Sequence, residues 1–139
     1  MKNFLSFFLI FFSFISCNQK VSQKEIKNLN GYWEIEKVIL ENGTNKDYSI
    51  NETIDFFEIK NDSGFRKKVT PQFNGKYLVN DVFEKIKIKI ENENVFVVYK
   101  TSYSNWKEEI IELTKEKLVL KNDSNVEYHY KKSIPFSLK

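Results

Sequence analysis

Few residues in this sequence have the types and spacing that catalysis or metal binding requires. The 139 residues include one His and one Cys, which excludes Cys/His zinc sites and Cys–His catalytic pairs. His129 alternates with Tyr128 and Tyr130, a pattern that predicts an imidazole facing solvent from a strand. Glu108 and Glu109 could exchange protons with a substrate, but solvated strand faces explain such pairs equally well. We therefore expect no enzymatic activity, no metal and no cofactor.

The charge balance limits the classes of partner. There are 22 Lys and Arg residues against 19 Asp and Glu residues, so the formal net charge is only +3. A protein that binds nucleic acid through phosphate contacts usually shows a clearer basic excess. The four glycines are scattered among turns, so the sequence contains no glycine-rich phosphate loop. We expect no nucleic-acid partner.

The first residues have the pattern of a secretory signal peptide. Lys2 precedes an apolar run at residues 4–15, which is too short for a bilayer span of about 20 residues. The run ends at Ser16-Cys17, and this ending resembles the lipobox of bacterial lipoproteins. The resemblance implies a signal peptide at residues 1–16, acyl chains such as palmitate on Cys17, and a membrane partner reached through that lipid anchor. The alternative is an ordinary signal peptide that happens to end near a Cys.

The position after Cys17 bears on location. Asn18 stands where an Asp is associated with retention in the inner membrane, so we expect a lipid-anchored protein of the cell envelope, in the outer membrane rather than the inner one. Two or more acyl chains are enough to hold a protein on a membrane stably. Residues 17–30 are then the lipidated Cys and a polar tether, and residues 31–139 are the folded domain.

The tether contains a possible helix start. Ser22 and Glu25 have capping-box spacing, and Ile26 and Leu29 follow three residues apart. A short N-terminal helical turn is one interpretation of this segment, and a disordered linker throughout is the other.

From Gly31 onward the sequence has the pattern of consecutive β-strands. Short apolar or alternating runs are separated by turns rich in Asn, Asp, Gly and Ser. We predict nine strands, at residues 32–40, 53–60, 65–70, 76–79, 83–91, 95–103, 106–113, 117–121 and 126–132. Most links have the length of hairpin connections, whereas parallel strands would need crossovers of a dozen residues. The predicted order is a meander in which each strand pairs with the one before it.

Such a meander can remove its exposed edges by closing into a barrel. Lys and Ile alternate strictly at residues 85–90, which predicts that three isoleucines face a core and three lysines face water. At residues 126–131 the same reasoning places Tyr128 and Tyr130 inside. The fold class we predict is all-β, an antiparallel up-and-down meander barrel of eight to nine strands.

One strand does not alternate. Phe96 and Val98 must point away from the interior if Val95, Val97 and Tyr99 point towards it. Either the N-terminal segment or the C-terminal residues 134–136 cover these two side chains, or they form an apolar patch for a partner or a membrane surface.

The start of the first strand, Gly31-Tyr32-Trp33, resembles the lipocalin signature, and the strands that follow resemble the small lipocalin-like lipoproteins of Bacteroidota. The resemblance implies that Gly31 allows a close chain crossing at the base of the barrel and that Trp33 plugs that end. In lipocalins an Arg of the last strand stacks over this Trp. Here only Lys131 or Lys132 is available, and either can make a cation–π contact.

Two functions remain open from the sequence. In the first, the barrel binds a small apolar or amphipathic molecule, and its candidate lining is Trp33, Ile35, Phe57, Tyr77, Ile88, Tyr99 and Tyr130. In the second, the interior is filled and the protein is a non-enzymatic interaction or structural module of the envelope. An open interior of at least about 300 Å³ would favour the first function. The sequence does not indicate an oligomeric state.

Overall fold

The computed structural model describes residues 20–135, so the predicted signal peptide, Cys17 and Phe136 lie outside the described residues. A 3₁₀ turn, Ile26–Leu29, precedes ten strands: β1 (Gly31–Ile39), β2 (Asn45–Asp47), β3 (Ile54–Lys60), β4 (Ser63–Pro71), β5 (Tyr77–Val79), β6 (Glu84–Glu91), β7 (Asn94–Lys100), β8 (Asn105–Leu113), β9 (Lys117–Lys121) and β10 (Glu127–Lys132). Residues 20–135 contain no helix with the length and hydropathy needed to span a bilayer.

Eight of the strands close into an antiparallel barrel. The pairing order is β1-β3-β4-β6-β7-β8-β9-β10, and β10 returns to pair with β1. The closing register runs from Trp33 opposite Lys132 to Ile39 opposite Glu127, with an irregularity between Ile35 and Lys37. This closure leaves none of the eight strands at an edge of the sheet. The predicted all-β barrel with a short N-terminal helical turn is confirmed.

The order departs from a strict meander at two short strands. β2 pairs only with β1 and was not predicted, because its three residues are all exposed and polar. β5 pairs with the end of β4, whereas β6 pairs with the beginning of β4, at Ser63–Arg66. Since β5 has only three residues, the nine-residue β4 has room on one edge for both strands. The prediction that each strand pairs with the one before it is therefore wrong for β6, whereas β3 pairs with β1, the predicted strand before it.

The 3₁₀ turn seals one end of the barrel, which we call the closed end. Ile26 and Leu29 are buried in the core, and Val21 packs against that core. The Glu25 carboxylate accepts a hydrogen bond from the backbone N–H of Ser22 at 2.7 Å, as the capping-box spacing predicts. Residues 20–30 are thus part of the packed domain, and the prediction of a tether extending to residue 30 is wrong for this stretch.

The predicted alternation holds only in part along β6. Ile86 and Ile88 are buried, but 54% of Ile90 is exposed. The last residue of β6 that pairs with β4 is Lys87, opposite Ser63, so Ile90 lies beyond the end of β4. An isoleucine at that position has no neighbouring strand on one side to cover it.

Phe96 and Val98 lie on the outer face and are half-buried. The ammonium of Lys107 lies 4.5 Å from the centre of the Phe96 ring, so a side chain of β8 covers it. Ile134 is 85% exposed and covers neither residue. Lys107 thus covers Phe96, for which the sequence left open either cover by a chain terminus or an exposed apolar patch.

Candidate functional site

The closed end is organised around Trp33. Its indole N–H donates to the Leu29 carbonyl at 2.8 Å, and the side chain is fully buried. The Lys132 ammonium lies 4.2 Å from the centre of the Trp33 ring and donates to the carbonyls of Asn28 and Asn30. Burial lowers the pKa of Lys132. Lys132, rather than Lys131, therefore makes the predicted cation–π contact.

Two neighbours of this tryptophan fix the onset of β1. Gly31 has a φ of +114°, and a Cβ there would lie 3.0 Å from the Lys132 ammonium. Asn30, which the sequence did not single out, uses its side-chain amide as a strand would use a backbone amide. Its oxygen accepts from the backbone N–H of Ile59 at 2.6 Å, and its nitrogen donates to the Ile59 carbonyl at 3.2 Å. The closed end is thus a structural plug.

The structure brings most of the candidate lining residues together. Five belong to one buried core cluster: Trp33, Phe57, Ile88, Tyr99 and Tyr130. Ile35 is half-buried and packs against that cluster. These side chains pack together in the interior of the barrel.

Tyr77 does not join them. It stacks on Tyr32 with ring centres 3.8 Å apart, and Tyr32 alternates along β1 with the buried Trp33. Tyr32 also contacts Phe56, which extends the aromatic contacts along this face. The prediction that Tyr77 lines the interior is wrong, because β5 leaves the barrel and holds Tyr77 against its outer face.

A second group inside the barrel is polar, and the sequence did not indicate it. We call Asp55, Arg66, Glu84, Tyr99 and Glu108 the polar cluster. Four of these residues lie directly opposite an inward-facing residue of a neighbouring strand, and the fifth, Glu108, lies opposite the fully buried Val97. All five side chains therefore face the interior. Asp55 is 2% exposed and Glu108 is 9% exposed.

Arg66, the sole arginine of the chain, is the centre of the polar cluster. Its guanidinium makes two hydrogen bonds of 3.2 Å to the Glu84 carboxylate and lies 4.4 Å from the centre of the Tyr99 ring. The Tyr99 ring also stacks on the Trp106 ring, with ring centres 5.0 Å apart. A planar guanidinium can make both the paired hydrogen bonds and the stacking contact, which a lysine could not. The only feature of the sequence that could have drawn attention to Arg66 is that it is one arginine among 21 lysines, and this feature does not indicate a position inside the barrel.

Two buried oxygens of the cluster, the Tyr99 hydroxyl and Oε2 of Glu108, have no hydrogen-bond partner among the other described side chains. The two groups are close enough to share a hydrogen bond with each other, and that bond lowers the pKa of Glu108 and raises the pKa of Tyr99. Asp55 is better placed, because the Lys68 ammonium lies 2.7 Å from its carboxylate. Leaving a buried polar group without a hydrogen bond costs about 1–3 kcal/mol. The interior therefore holds polar groups with few hydrogen-bond partners beside an apolar core.

Burial controls the ionisation of these groups. It raises the pKa of Glu108 above its ordinary value, and the hydrogen bond from Tyr99 and the charge of Arg66 only partly oppose this. It also raises the pKa of Tyr99 well above its ordinary value. Burial alone would lower the pKa of Arg66. The neighbouring Tyr99, Glu84 and Asp55 raise this pKa by more than burial lowers it, so the guanidinium stays charged.

The polar cluster lies towards the end of the barrel opposite the 3₁₀ turn, which we call the open end. It is formed by the β4–β5, β7–β8 and β9–β10 turns. Three half-buried side chains, Ile35, Trp106 and Tyr128, pack against the core there. Of three clefts that the described surface contains among others, the one of about 610 Å³ lies outside the barrel at this end, between residues 81–85 and 100–103. The smaller two measure about 160 and 90 Å³.

Comparison with known proteins identifies the fold family. The model of the lipocalin-like domain matches residues 29–120, about two-thirds of the chain. The chain belongs to the lipocalin-like domain family. The matched region contains the lipocalin-like signature residues Gly31 and Trp33 and the whole polar cluster, and it ends before β10.

Two solved structures resemble this lipocalin-like barrel. One is a lipocalin-like protein from Bacteroides uniformis, 8% identical, with a TM-score of 0.49. The other is an uncharacterized protein from Bacteroides eggerthii, 13% identical, also with a TM-score of 0.49. Each alignment covers 76% of this chain and 99% of the other chain. No curated protein matches the chain.

Proposed function

We propose that this protein is a lipid-anchored lipoprotein of the cell envelope whose lipocalin-like barrel binds a small amphipathic molecule at its open end. Families with this fold are generally non-enzymatic binding proteins. The observation that supports binding is the polar cluster, where the Tyr99 hydroxyl and the Glu108 carboxylate, which have only each other as side-chain hydrogen-bond partners, lie beside apolar core side chains. A ligand with a hydroxyl or amine group could satisfy those oxygens and rest its apolar part against Ile35 and Trp106.

The anchor is proposed from Cys17 and the apolar run before it. Lys20 forms an ion pair of 2.6 Å with Glu93, which lies in the β6–β7 turn at the closed end. Three residues span at most about 11 Å, so acyl chains on Cys17 would hold the closed end close to the membrane. The open end would then face away from the lipid, where a soluble molecule can reach it. Asn18 favours the outer membrane.

Native mass spectrometry of protein purified from its own membranes tests both parts of this proposal. We expect a mature chain that begins at Cys17 and carries acyl chains, together with a co-purifying small molecule. Cys17→Ser should move the protein from the membrane fraction to the soluble fraction, which tests the anchor alone. A mature chain that begins elsewhere would contradict the anchor.

Variants of the polar cluster test binding separately. Glu108→Gln retains the shape of the side chain but changes its hydrogen bonding, so we expect weaker retention of the co-purifying molecule. Glu109→Gln, on the opposite face of β8, is the matched control. Reproducible absence of any bound molecule from the unaltered protein would contradict binding.

The second candidate function is an interaction or structural module of the envelope. It is favoured by the complete burial of Trp33, Phe57 and Tyr99 at positions predicted to line a cavity. None of the three clefts has any of these side chains in its wall. A co-purifying protein in place of a small molecule would support this second function.

A further inference from the structure

The cleft of about 610 Å³ lies on the outer face of the barrel, and neither of the two functions above uses it. We call it the rim cleft. One wall is formed by the segment before β6 and the start of that strand, with Asp81, Val82, Phe83 and Lys85. The other wall is formed by the end of β7 and the β7–β8 turn, with Lys100 and Tyr103. Its volume is about 610 Å³, which lies within the range typical of sites for small molecules.

The apolar part of the rim cleft is exposed to solvent. Val82 is 74% exposed, Phe83 is 45% exposed and Tyr103 is 98% exposed. Isolated exposed apolar residues are common, but three around one cleft form a contiguous apolar surface. This surface could accommodate a hydrocarbon chain.

The polar part of the rim cleft is cationic. Lys85 and Lys100 lie directly opposite each other across β6 and β7, and both are exposed. Like charges in such a cross-strand pair repel each other and destabilise the sheet. Neither lysine forms an ion pair with another side chain of residues 20–135, and Asp81 is the only carboxylate in the wall. An anion between the two ammonium groups would remove this repulsion.

Local hydrogen bonds hold both walls in place. Oγ1 of Thr101 accepts from the backbone N–H groups of Tyr103 and Ser104 at 3.2 and 3.1 Å. The side chain of Asn80 accepts from the backbone N–H of Val82 at 3.0 Å. Because the turns are held in this way, a ligand would need to order little additional chain when it binds.

From these observations we infer that the rim cleft binds a single-chain amphipathic anion. Its carboxylate or phosphate group lies between Lys85 and Lys100, and its hydrocarbon chain lies against Val82, Phe83 and Tyr103. Lys85 and Lys100 point outwards from β6 and β7, and the adjacent residues of the same strands, Glu84 and Tyr99, belong to the polar cluster inside. The rim cleft is therefore a site separate from the proposed interior site.

Calorimetric titration with dodecyl phosphate, below its micelle concentration, tests this inference on the purified protein carrying Cys17→Ser. We expect saturable binding that weakens as salt is added. Removing both charges in Lys85→Gln/Lys100→Gln should weaken binding about tenfold, the equivalent of two surface ion pairs. Lys76→Gln/Lys89→Gln removes two lysines from elsewhere on the surface and should leave binding unchanged.

Two further probes identify which part of the ligand is recognised. Dodecyltrimethylammonium has the same chain and the opposite charge, and inorganic phosphate has the charge without the chain, so neither should bind comparably. Equal binding of the cationic probe, or undiminished binding by the double Lys85/Lys100 variant, would overturn the inference. Glu108→Gln should bind dodecyl phosphate normally, so failure of the interior site would not be mistaken for failure of the rim cleft.

Discussion

Glu108 has an ionisable side chain at a position where burial disfavours its charge. The same is true of Tyr99, its neighbour in the polar cluster, and the two share the interior with a permanently charged Arg66. Buried polar groups normally use most of their hydrogen-bonding capacity, and the hydrogen bond that Tyr99 and Glu108 share leaves part of theirs unused. Our explanation is a ligand that uses the remaining capacity.

The stability of the protein should depend on pH through Glu108. Its folded pKa lies above the ordinary value of 4.5, so the folded state binds more protons than the unfolded state in the pH range just above that value. The stabilisation is therefore fully present below pH 4.5 and is lost as pH rises through the folded pKa. Because Glu108→Gln cannot ionise, the variant should gain stability relative to the unaltered protein between pH 4 and pH 7. Urea unfolding at several pH values measures this difference.

Glu109→Gln controls for the loss of one carboxylate on the same strand. If both variants changed the pH dependence equally, buried Glu108 would not be its source.

The polar cluster was the part of the site that the sequence could not predict. On β4, Phe65 and Val69 are apolar and Arg66 and Lys68 are charged, so alternation indicates that the apolar pair faces the core. The structure has the opposite arrangement: Arg66 lies opposite the buried Phe57, and Phe65 packs against Phe56 and Phe83 on the outer face. Hydrophobic patterning assumes that polar side chains face water, and this strand does not obey that assumption.

At the scale of elements, the hydrophobic pattern of the sequence predicted the longer strands correctly. All nine predicted strands are present, and the registers follow short turns. β2 could not be predicted because Asn45, Lys46 and Asp47 carry no apolar signal, and it forms only by pairing with β1. β5 was predicted as a strand, but its departure from the barrel, and with it the position of Tyr77, depends on tertiary contacts.

The β3–β4 hairpin depends on a close approach at Gly64. A Cβ on this residue would lie 1.8 Å from the backbone oxygen of Glu58, a contact that only a shift of the backbone could relieve. Gly64→Ala should therefore destabilise the protein by about 3 kcal/mol, the upper end of the usual range for overpacking. Chemical denaturation measures the free energy of unfolding.

Ser63→Ala, at the adjacent exposed position, should change stability by less than about 0.5 kcal/mol. A Gly64→Ala variant as stable as Ser63→Ala would show that the hairpin is looser than described.

At the scale of the whole molecule, one end of the barrel is plugged and the other is bordered by polar and half-buried side chains. The plug joins the first and last strands of the barrel, because Lys132 of β10 contacts Trp33 of β1 and the carbonyls of Asn28 and Asn30. The sequence predicted this end correctly from the Gly31-Tyr32-Trp33 signature and a terminal lysine. It did not predict Asn30, since the pairing of one amide side chain with Ile59 leaves no periodic pattern.

Lys132→Met should destabilise the closed end of the barrel. The variant loses the cation–π contact and two hydrogen bonds from a charged donor, so we expect a loss of about 1–3 kcal/mol in stability. Lys131→Met removes a half-exposed lysine whose ammonium lies 3.8 Å from Glu34, and should cost less than about 0.5 kcal/mol. Thermal unfolding of the two variants makes the comparison, and equal losses would contradict a special role for Lys132.

A crystal structure of protein purified from its own membranes tests the interior binding site most directly. We predict electron density for an amphipathic molecule with a polar group within hydrogen-bonding distance of Oε2 of Glu108 and the Tyr99 hydroxyl. An interior filled by side chains and water alone would contradict ligand binding and favour the interaction module.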